Sequence, residues 1–213
     1  MDTIKSKYHE TLAATIIKNL EKRQMEGYYC PTVEDAEKLA FSFLKDGQSV
    51  SFGGSMTLEE TGMLTALRHD PSIHLIDRST AKTPEETKKM YHDALSSDVY
   101  FMSTNAITAK GELVNIDGTG NRVAALIYGP ETVIILTGMN KVAANVEEAL
   151  SRIHNVATPQ NCIRLNKKTP CSTTGTCADC LSPDCICNQV VITRRSGIKG
   201  RIKVLLIGDT FGY

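Results

Sequence analysis

What the sequence lacks narrows its chemistry first. No run of about 18 apolar residues occurs, so no segment is expected to cross a bilayer. Neither charge is in surplus: 24 Lys and Arg balance 24 Asp and Glu, and a broad basic face for nucleic acid has no support in composition. The GxGxxG fingerprint of nicotinamide and flavin sites is missing, as are the Walker glycine spacing and its lysine. No Ser-His-Asp or Cys-His arrangement can be assembled, and His9, His69, His74, His92 and His154 have no ligand-like spacing. Internal repeats and low-complexity tracts are absent too. The opening MDTIKSKYHETLAATIIKNLEK is charged throughout rather than built like a signal peptide, which leads us to expect a cytoplasmic protein.

What is present reads as one domain. A chain of 213 residues that is 41% hydrophobic can bury a real core. Ile4, Tyr8, Leu12, Ile16 and Leu20 recur every four residues and predict a first helix from about Asp2 to Met25 with one apolar stripe. A break is expected at 27–31, then a helix capped by Thr32 and ended by Gly47. Strands are expected at 48–52, 72–76, 98–102, 132–136, 189–193 and 202–207, with a hairpin through Lys110-Gly111-Glu112. Helices should start at Thr57, Thr83 and Asn121 and run over 143–155, with Met90, Tyr91, Ala94 and Leu95 on the inner face of the Thr83 helix. Strands alternating with helices give an α/β fold with a mainly parallel sheet. An N-terminal helical segment covers about 1–46, and a cysteine-rich insertion about 162–188.

Two polar, glycine-rich turns are the candidate site. The first is Gly53-Gly54-Ser55-Met56-Thr57, between a strand and a helix with Glu60 completing its capping box. The second lies in NIDGTGNR, after the strand that follows Asn105. At the ends of neighbouring strands they would face one crevice and hold a small anion. Ser55 and Thr57 would donate from one wall, with Gly53 and Gly54 allowing close approach. Asn105, Asn115, Asp117, Thr119 and Asn121 would line the other, Arg122 would pair bidentately with a carboxylate, and Lys141 would join at the next strand end. Each feature also has an ordinary structural use: Asp117 and Glu60 as helix caps, Arg122 as the partner of a surface acid. Glu59, Glu60 and Glu112 are the acids nearest the crevice, Glu59 and Glu112 being the candidate general bases.

Of seven cysteines, Cys171, Cys177, Cys180, Cys185 and Cys187 fall in one short segment almost without apolar residues. Thiolates so close repel unless a cation shares them, so zinc or a [4Fe–4S] cluster is the expectation. The expected ligands are Cys177, Cys180, Cys185 and Cys187, with Cys171 as the alternative. Free thiols or an incidental disulfide are the competing reading.

The stretches VSFGGSMTLEETG and STNAITAKGELVNIDGTGNRVAALIYGPETVIILTGMNK resemble the LUD domain, the family of the lactate-utilisation protein C component. The resemblance covers nearly the whole chain. It implies a Rossmann-like fold of the ribose-phosphate isomerase, glucosamine-phosphate deaminase and CoA-transferase group, with phosphates or acyl carriers bound over the strand ends. It also implies work beside iron–sulfur subunits that oxidise lactate. The cysteine segment looks like an extension found in part of the family. Three functions follow as expectations. The first is a small carboxylate or phosphorylated metabolite bound in organic-acid metabolism with iron–sulfur partners. The second is a stand-alone isomerase- or transferase-like enzyme on the same fold, and the third a metal-dependent interaction or sensor module. A homo-oligomer is compatible with each.

Overall fold

Segments such as Val99–Met102 and Val133–Leu136 are apolar without alternation, and a strand built that way must be covered on both faces. They are the centre of the sheet. The computed structural model describes residues 3–213. The chain begins with α1 (Thr3–Lys22), β1 (Glu26–Cys30) and α2 (Val33–Ser42). It continues through β2 (Ser49–Phe52), the short helices α3 (Met56–Glu60) and α4 (Met63–His69), β3 (His74–Ile76) and α5 (Pro84–Leu95). Next come β4 (Val99–Met102), the strands β5 (Ala106–Thr108) and β6 (Leu113–Asp117), α6 (Asn121–Ile127) and β7 (Thr132–Gly138). Then follow β8 (Val142–Ala143), α7 (Val146–Arg152), α8 (Thr158–Arg164), α9 (Pro170–Thr174), β9 (Gln189–Thr193) and β10 (Ile202–Ile207).

The main sheet has six strands in the order β1-β10-β7-β4-β2-β3, every pair parallel. Alternate residues of each strand go to opposite faces. Tyr100 and Met102 pack with Ile16 and Leu20 of α1, while Val99 and Phe101 pack with Ala36, Ala40, Leu58 and Leu64 of α2, α3 and α4. Each such fully buried large side chain contributes about 1.5–3 kcal/mol. A smaller sheet, β8-β5-β6-β9, carries α7 and its continuation on one face, with Ala106, Val114 and Ile116 against Ala149, Ile153 and Ala157. The architecture is α/β and Rossmann-like.

Several local expectations hold. Thr32 and Asp35 form a reciprocal capping box, and Thr83 caps α5 with Pro84 behind it. The hairpin β5–β6 turns through 109–112.

Others are corrected. Position Asp2 lies outside the described residues, and the buried face of α1 is His9, Ala13, Ile16 and Leu20, leaving Ile4 and Tyr8 exposed. A step of four residues overshoots one turn by about 40°, so a strict period of four drifts off the buried face within a few turns. The expected break at 27–31 is the edge strand β1, because Tyr28, Tyr29 and Cys30 pair with β10 between their Gly27 and Pro31 flanks. Ser55, not Thr57, caps α3, accepting from the Leu58 amide at 3.4 Å. Helix α2 stops at Ser42, before Gly47. On α5 only Ala94 is buried; Tyr91 is half-buried and turns toward a cavity. The helix expected over 143–155 begins at Val146, capped by Asn145, and continues through a π turn at Ile153–Ala157 into α8. Strand β9 joins the smaller sheet rather than the parallel one, pairing antiparallel with β6.

Candidate functional site

The two polar turns open onto one cavity of about 520 Å³. It lies outside the carboxyl ends of β2 and β4, where a parallel sheet splays its neighbouring connections apart, and beside the end of β6 in the smaller sheet. Gly54, Ser55 and Met56 contribute one wall, and Asp117, Gly118, Thr119, Asn121 and Arg122 another. Asn105 and Lys141 line it as well. Of the remaining candidates, Gly53, Thr57 and Asn115 sit just behind the wall. Thr57 and Asn115 are fully buried, with 0% exposure.

Arg122 is held from all sides. Its Nε meets Asp117 Oδ2 at 3.2 Å, Nη1 donates to Ser103 O and Asn115 Oδ1, and Nη2 donates to Asn105 Oδ1 and Ile116 O. A guanidinium has five N–H donors, and these contacts engage all five. Burial works against its charge, and Asp117 is first among the groups that sustain it. The bidentate grip on a ligand carboxylate expected of Arg122 is therefore replaced by a structural role: it ties the turn after β6 to the end of β4 and leaves its charge, not its hydrogens, to the cavity. Asp117 also accepts from the Gly120 amide at 2.9 Å, fixing the start of α6. At the other end of α6, buried Arg201 donates to Ala125 O, Leu126 O and Pro130 O. The carbonyls of Ala125 and Leu126 belong to the last turn of this seven-residue helix, and that of Pro130 follows it.

Lys141 is the opposite case. Its side chain is buried, with Nζ donating to Thr57 Oγ1 at 2.7 Å and Ser103 Oγ at 3.2 Å. No carboxylate pairs with it among the described residues. Burial, then Arg152 and Arg122, push its pKa down to about 7, against a weaker pull from Glu60.

Arg78 was not anticipated. It follows the short strand β3, lies over the Tyr91 ring at 5.6 Å, and donates to the Tyr91 hydroxyl at 3.2 Å. A side chain at Gly54 would collide with its Nη2, so the glycine is what lets Arg78 lie across the first turn. The rule that parallel sheets bind ligands at their carboxyl ends was the available signal, since Arg78 stands two residues beyond a strand in that position. Arg164 and Lys167, from the end of α8 and the turn beyond it, add two more cations to the lining. Asp117 is the sole side-chain carboxylate among the described lining residues.

The acids proposed as bases stand elsewhere. Glu112 is in the hairpin turn, bonded to the Thr108 hydroxyl and 2.5 Å from Arg23 Nη2. Glu59 is exposed, and Glu60 accepts from the Gly212 amide at 2.6 Å. None of the three lines the cavity.

The cysteine segment is docked against the site rather than hung beside it. Asn188 donates its backbone N–H to Asp117 O and its side-chain amide to Gly118 O, and Cys185, Ile186 and Asn188 line the cavity. Its thiols meet in pairs, Cys180 hydrogen-bonding with Cys185. Cys177 Sγ stands 3.5 Å from His154 Nδ1, Cys180 Sγ 3.6 Å from Ser182 Oγ, and Cys187 Sγ 3.7 Å from Thr158 Oγ1. Cys185 Sγ accepts from the Cys187 amide, and Cys171 bonds with Thr169 and with Cys162 of α8. Among the described residues no three His, Cys, Asp or Glu side chains are grouped to hold a metal ion. As arranged here, Cys177, Cys180, Cys185, Cys187 and Cys171 do not fit zinc or a [4Fe–4S] cluster, which needs about four donors around one point.

Three comparisons place the chain. The model of the LUD domain family matches residues 13–207. No curated protein matches. A crystal structure of a DUF162 family protein from Deinococcus radiodurans superimposes with a TM-score of 0.54 at 10% identity, over 93% of this chain and 98% of that one. The tetrameric eIF2B-beta2-delta2 complex from C. thermophilum gives 0.37 at 20% identity, over 54% of this chain and 43% of that one. Ribose 5-phosphate isomerase A from Methanocaldococcus jannaschii gives 0.33 at 18%, over 53% and 54%. This chain thus spans about half of each of the last two. No helix among the described residues is long and apolar enough to cross a membrane.

Proposed function

Because the chain belongs to the LUD domain family, we propose that it serves organic-acid utilisation, lactate included, by holding a small carboxylate or phosphorylated metabolite in the cavity. One observation carries this reading: Arg78, Arg122, Arg164 and Lys167 face a hollow whose single side-chain carboxylate among the described lining residues, Asp117, is already paired. A cleft lined by one sign of charge concentrates the opposite ion, and low-dielectric walls strengthen the effect. Arg78 is the direct contact, since its guanidinium keeps donors beyond the one used on Tyr91. Ser103, Thr104, Asn105 and Asn121 supply neutral hydrogen-bonding groups that fix orientation. Electrons from an oxidised organic acid would pass to iron–sulfur partner subunits, in keeping with the family.

The test is calorimetric titration of the purified protein with lactate and with inorganic phosphate. Binding is expected for at least one of them, weakened about tenfold or more in Arg78→Ala, as for a lost charge-assisted contact of 1.4 kcal/mol or above. Absence of binding by both anions, or affinity unchanged in Arg78→Ala, overturns the reading.

A further inference from the structure

We infer that Lys141 is an amine nucleophile for the carbonyl group of an anionic metabolite, such as a 2-oxo acid or a phosphorylated aldehyde, held in this cavity; the inference rests on the anion-binding reading above. A lysine kept for charge alone would meet a carboxylate or water. Lys141 meets neither an acid within ion-pair distance among the described residues nor open solvent, being 5% exposed. Two hydroxyls hold Nζ instead, Thr57 Oγ1 and Ser103 Oγ. A neutral amine has two N–H donors and one lone pair, so these two acceptors satisfy both hydrogens and leave the lone pair without a partner. An ammonium would have a third hydrogen and no acceptor for it.

The surroundings hold that state. Thr57 and Glu60 belong to α3, Ser103 follows β4, Arg122 opens α6, and Arg152 ends α7. The two arginines repel a further positive charge, and Glu60 turns its Oε2 to the Gly212 amide. The chain at 211–212 closes over the amine: Thr57 Oγ1 donates to Phe211 O, and a Cβ on Gly212 would stand 3.1 Å from Nζ. The resulting pKa of about 7 leaves a large neutral fraction at neutral pH, whereas an ordinary lysine has about one in a thousand. Desolvation in an apolar or cationic setting is how lysines that form Schiff bases are activated.

The step balances without an oxidant. The Nζ lone pair adds to the carbonyl carbon while the C=O π electrons move to oxygen, and a proton passes from nitrogen to that oxygen to give the carbinolamine. Protonation of that hydroxyl expels water, and the nitrogen electrons form the iminium, so amine, carbonyl compound and one proton give iminium and one water. The anionic part of the metabolite is held by the cavity cations, with Arg78 nearest to free.

The test is reductive trapping. The full chain is incubated at pH 7.5 with pyruvate or with glyceraldehyde 3-phosphate and cyanoborohydride, and the adduct is located by peptide mass. A mass gain equal to the probe less one oxygen atom is expected on Lys141, at least about tenfold faster than on any other lysine. Mapping on the unaltered protein needs no variant to fold; Lys141→Arg, if folded, should lose the adduct. Should a probe bind by calorimetry yet label no lysine, or label exposed lysines equally, the inference fails and the anion site stands. If neither probe nor phosphate nor lactate binds, the anion site itself fails.

Discussion

Asn115 Oδ1 accepts from Arg122 Nη1 at 2.6 Å, so two residues that read as ligand contacts hold one another. Asn115 is fully buried, and its Oδ1 also accepts from the Thr104 hydroxyl and the Asn105 amide. Together they weld the end of β4, the start of β5 and the turn after β6.

The first prediction follows from that contact. Arg122→Ala would strand Asp117 and leave acceptors at Ser103, Asn105, Asn115 and Ile116 without their donors. Breaking a buried, paired charge costs about 3–5 kcal/mol. Urea denaturation should show a loss of that order, and Arg122→Lys should recover only part of it, because one ammonium cannot reach five acceptors. A loss below about 1 kcal/mol would remove Arg122 from the framework.

Gly54→Ala should separate binding from stability. The residue does not need a left-handed backbone, since Gly54 is not among the glycines at positive φ. The obstacle is the end of the flexible Arg78 side chain, which can swing away. Stability should change by less than about 1 kcal/mol, as for a surface substitution, while phosphate or lactate affinity falls several-fold. Equal affinity in both proteins would mean that Arg78 does not touch the anion.

Lys141 predicts a pH dependence with a definite sign. Its pKa is about 7 folded, against an ordinary value near 10.5 unfolded. Above about 10.5 the group is neutral in both states and has no effect. As pH falls from there to 7, the unfolded chain takes up the proton first, so stability is lost; below 7 the loss is complete and constant. Lys141→Met should therefore gain on the wild type by a few kcal/mol at pH 6.5, and the gain should shrink toward pH 10. Denaturant midpoints of both proteins across that range would decide it, and a flat difference would place the amine in water.

Thiol chemistry tests the cysteine segment. Cys30, Cys162 and Cys171 are buried, whereas Cys177, Cys180, Cys185 and Cys187 are half-buried and unbonded to one another as disulfides. Titration of metal-free native protein with an aromatic disulfide reagent should give three fast thiols, a slower Cys187, whose pKa burial raises to about 11, and three that react only on unfolding. Zinc added beforehand should leave these rates unchanged if the segment stays as arranged; protection of four thiols with a rise in Tm would show that it closes round the ion.

Much of the frame was legible because it is local. Thr32 with Asp35, and Thr83 with Pro84, announce helix starts within a single turn, and the uniform apolarity of 99–102 and 133–136 marks covered strands. Gly54 and Asn121 do meet at one hollow, but not as the ends of neighbouring parallel strands, since β6 belongs to the smaller sheet and pairs antiparallel with β5 and β9. The saturation of Arg122 could not be read: three of its five acceptors come from β6, one from just beyond β4 and one from the approach to β5, and no spacing encodes that meeting. Arg78 hid behind a strand of three residues. The docking of the cysteine segment rests on Asn188 and backbone carbonyls, with few apolar side chains to signal it. Glu112 read as a candidate base only because Arg23, its partner, lies 89 positions away.

The position of β10 bears on how the chain comes to be made. This last strand sits between β1 and β7, and β1 has no other neighbour in the sheet. During synthesis the first strand therefore waits for residues 202–207, and until they emerge β7 presents an open edge with the apolar run 133–136 at its centre. Such an edge is what other nascent chains stick to. A ribosome stalled just short of residue 202 would hold an adhesive product, and chaperone demand should peak at that point rather than earlier.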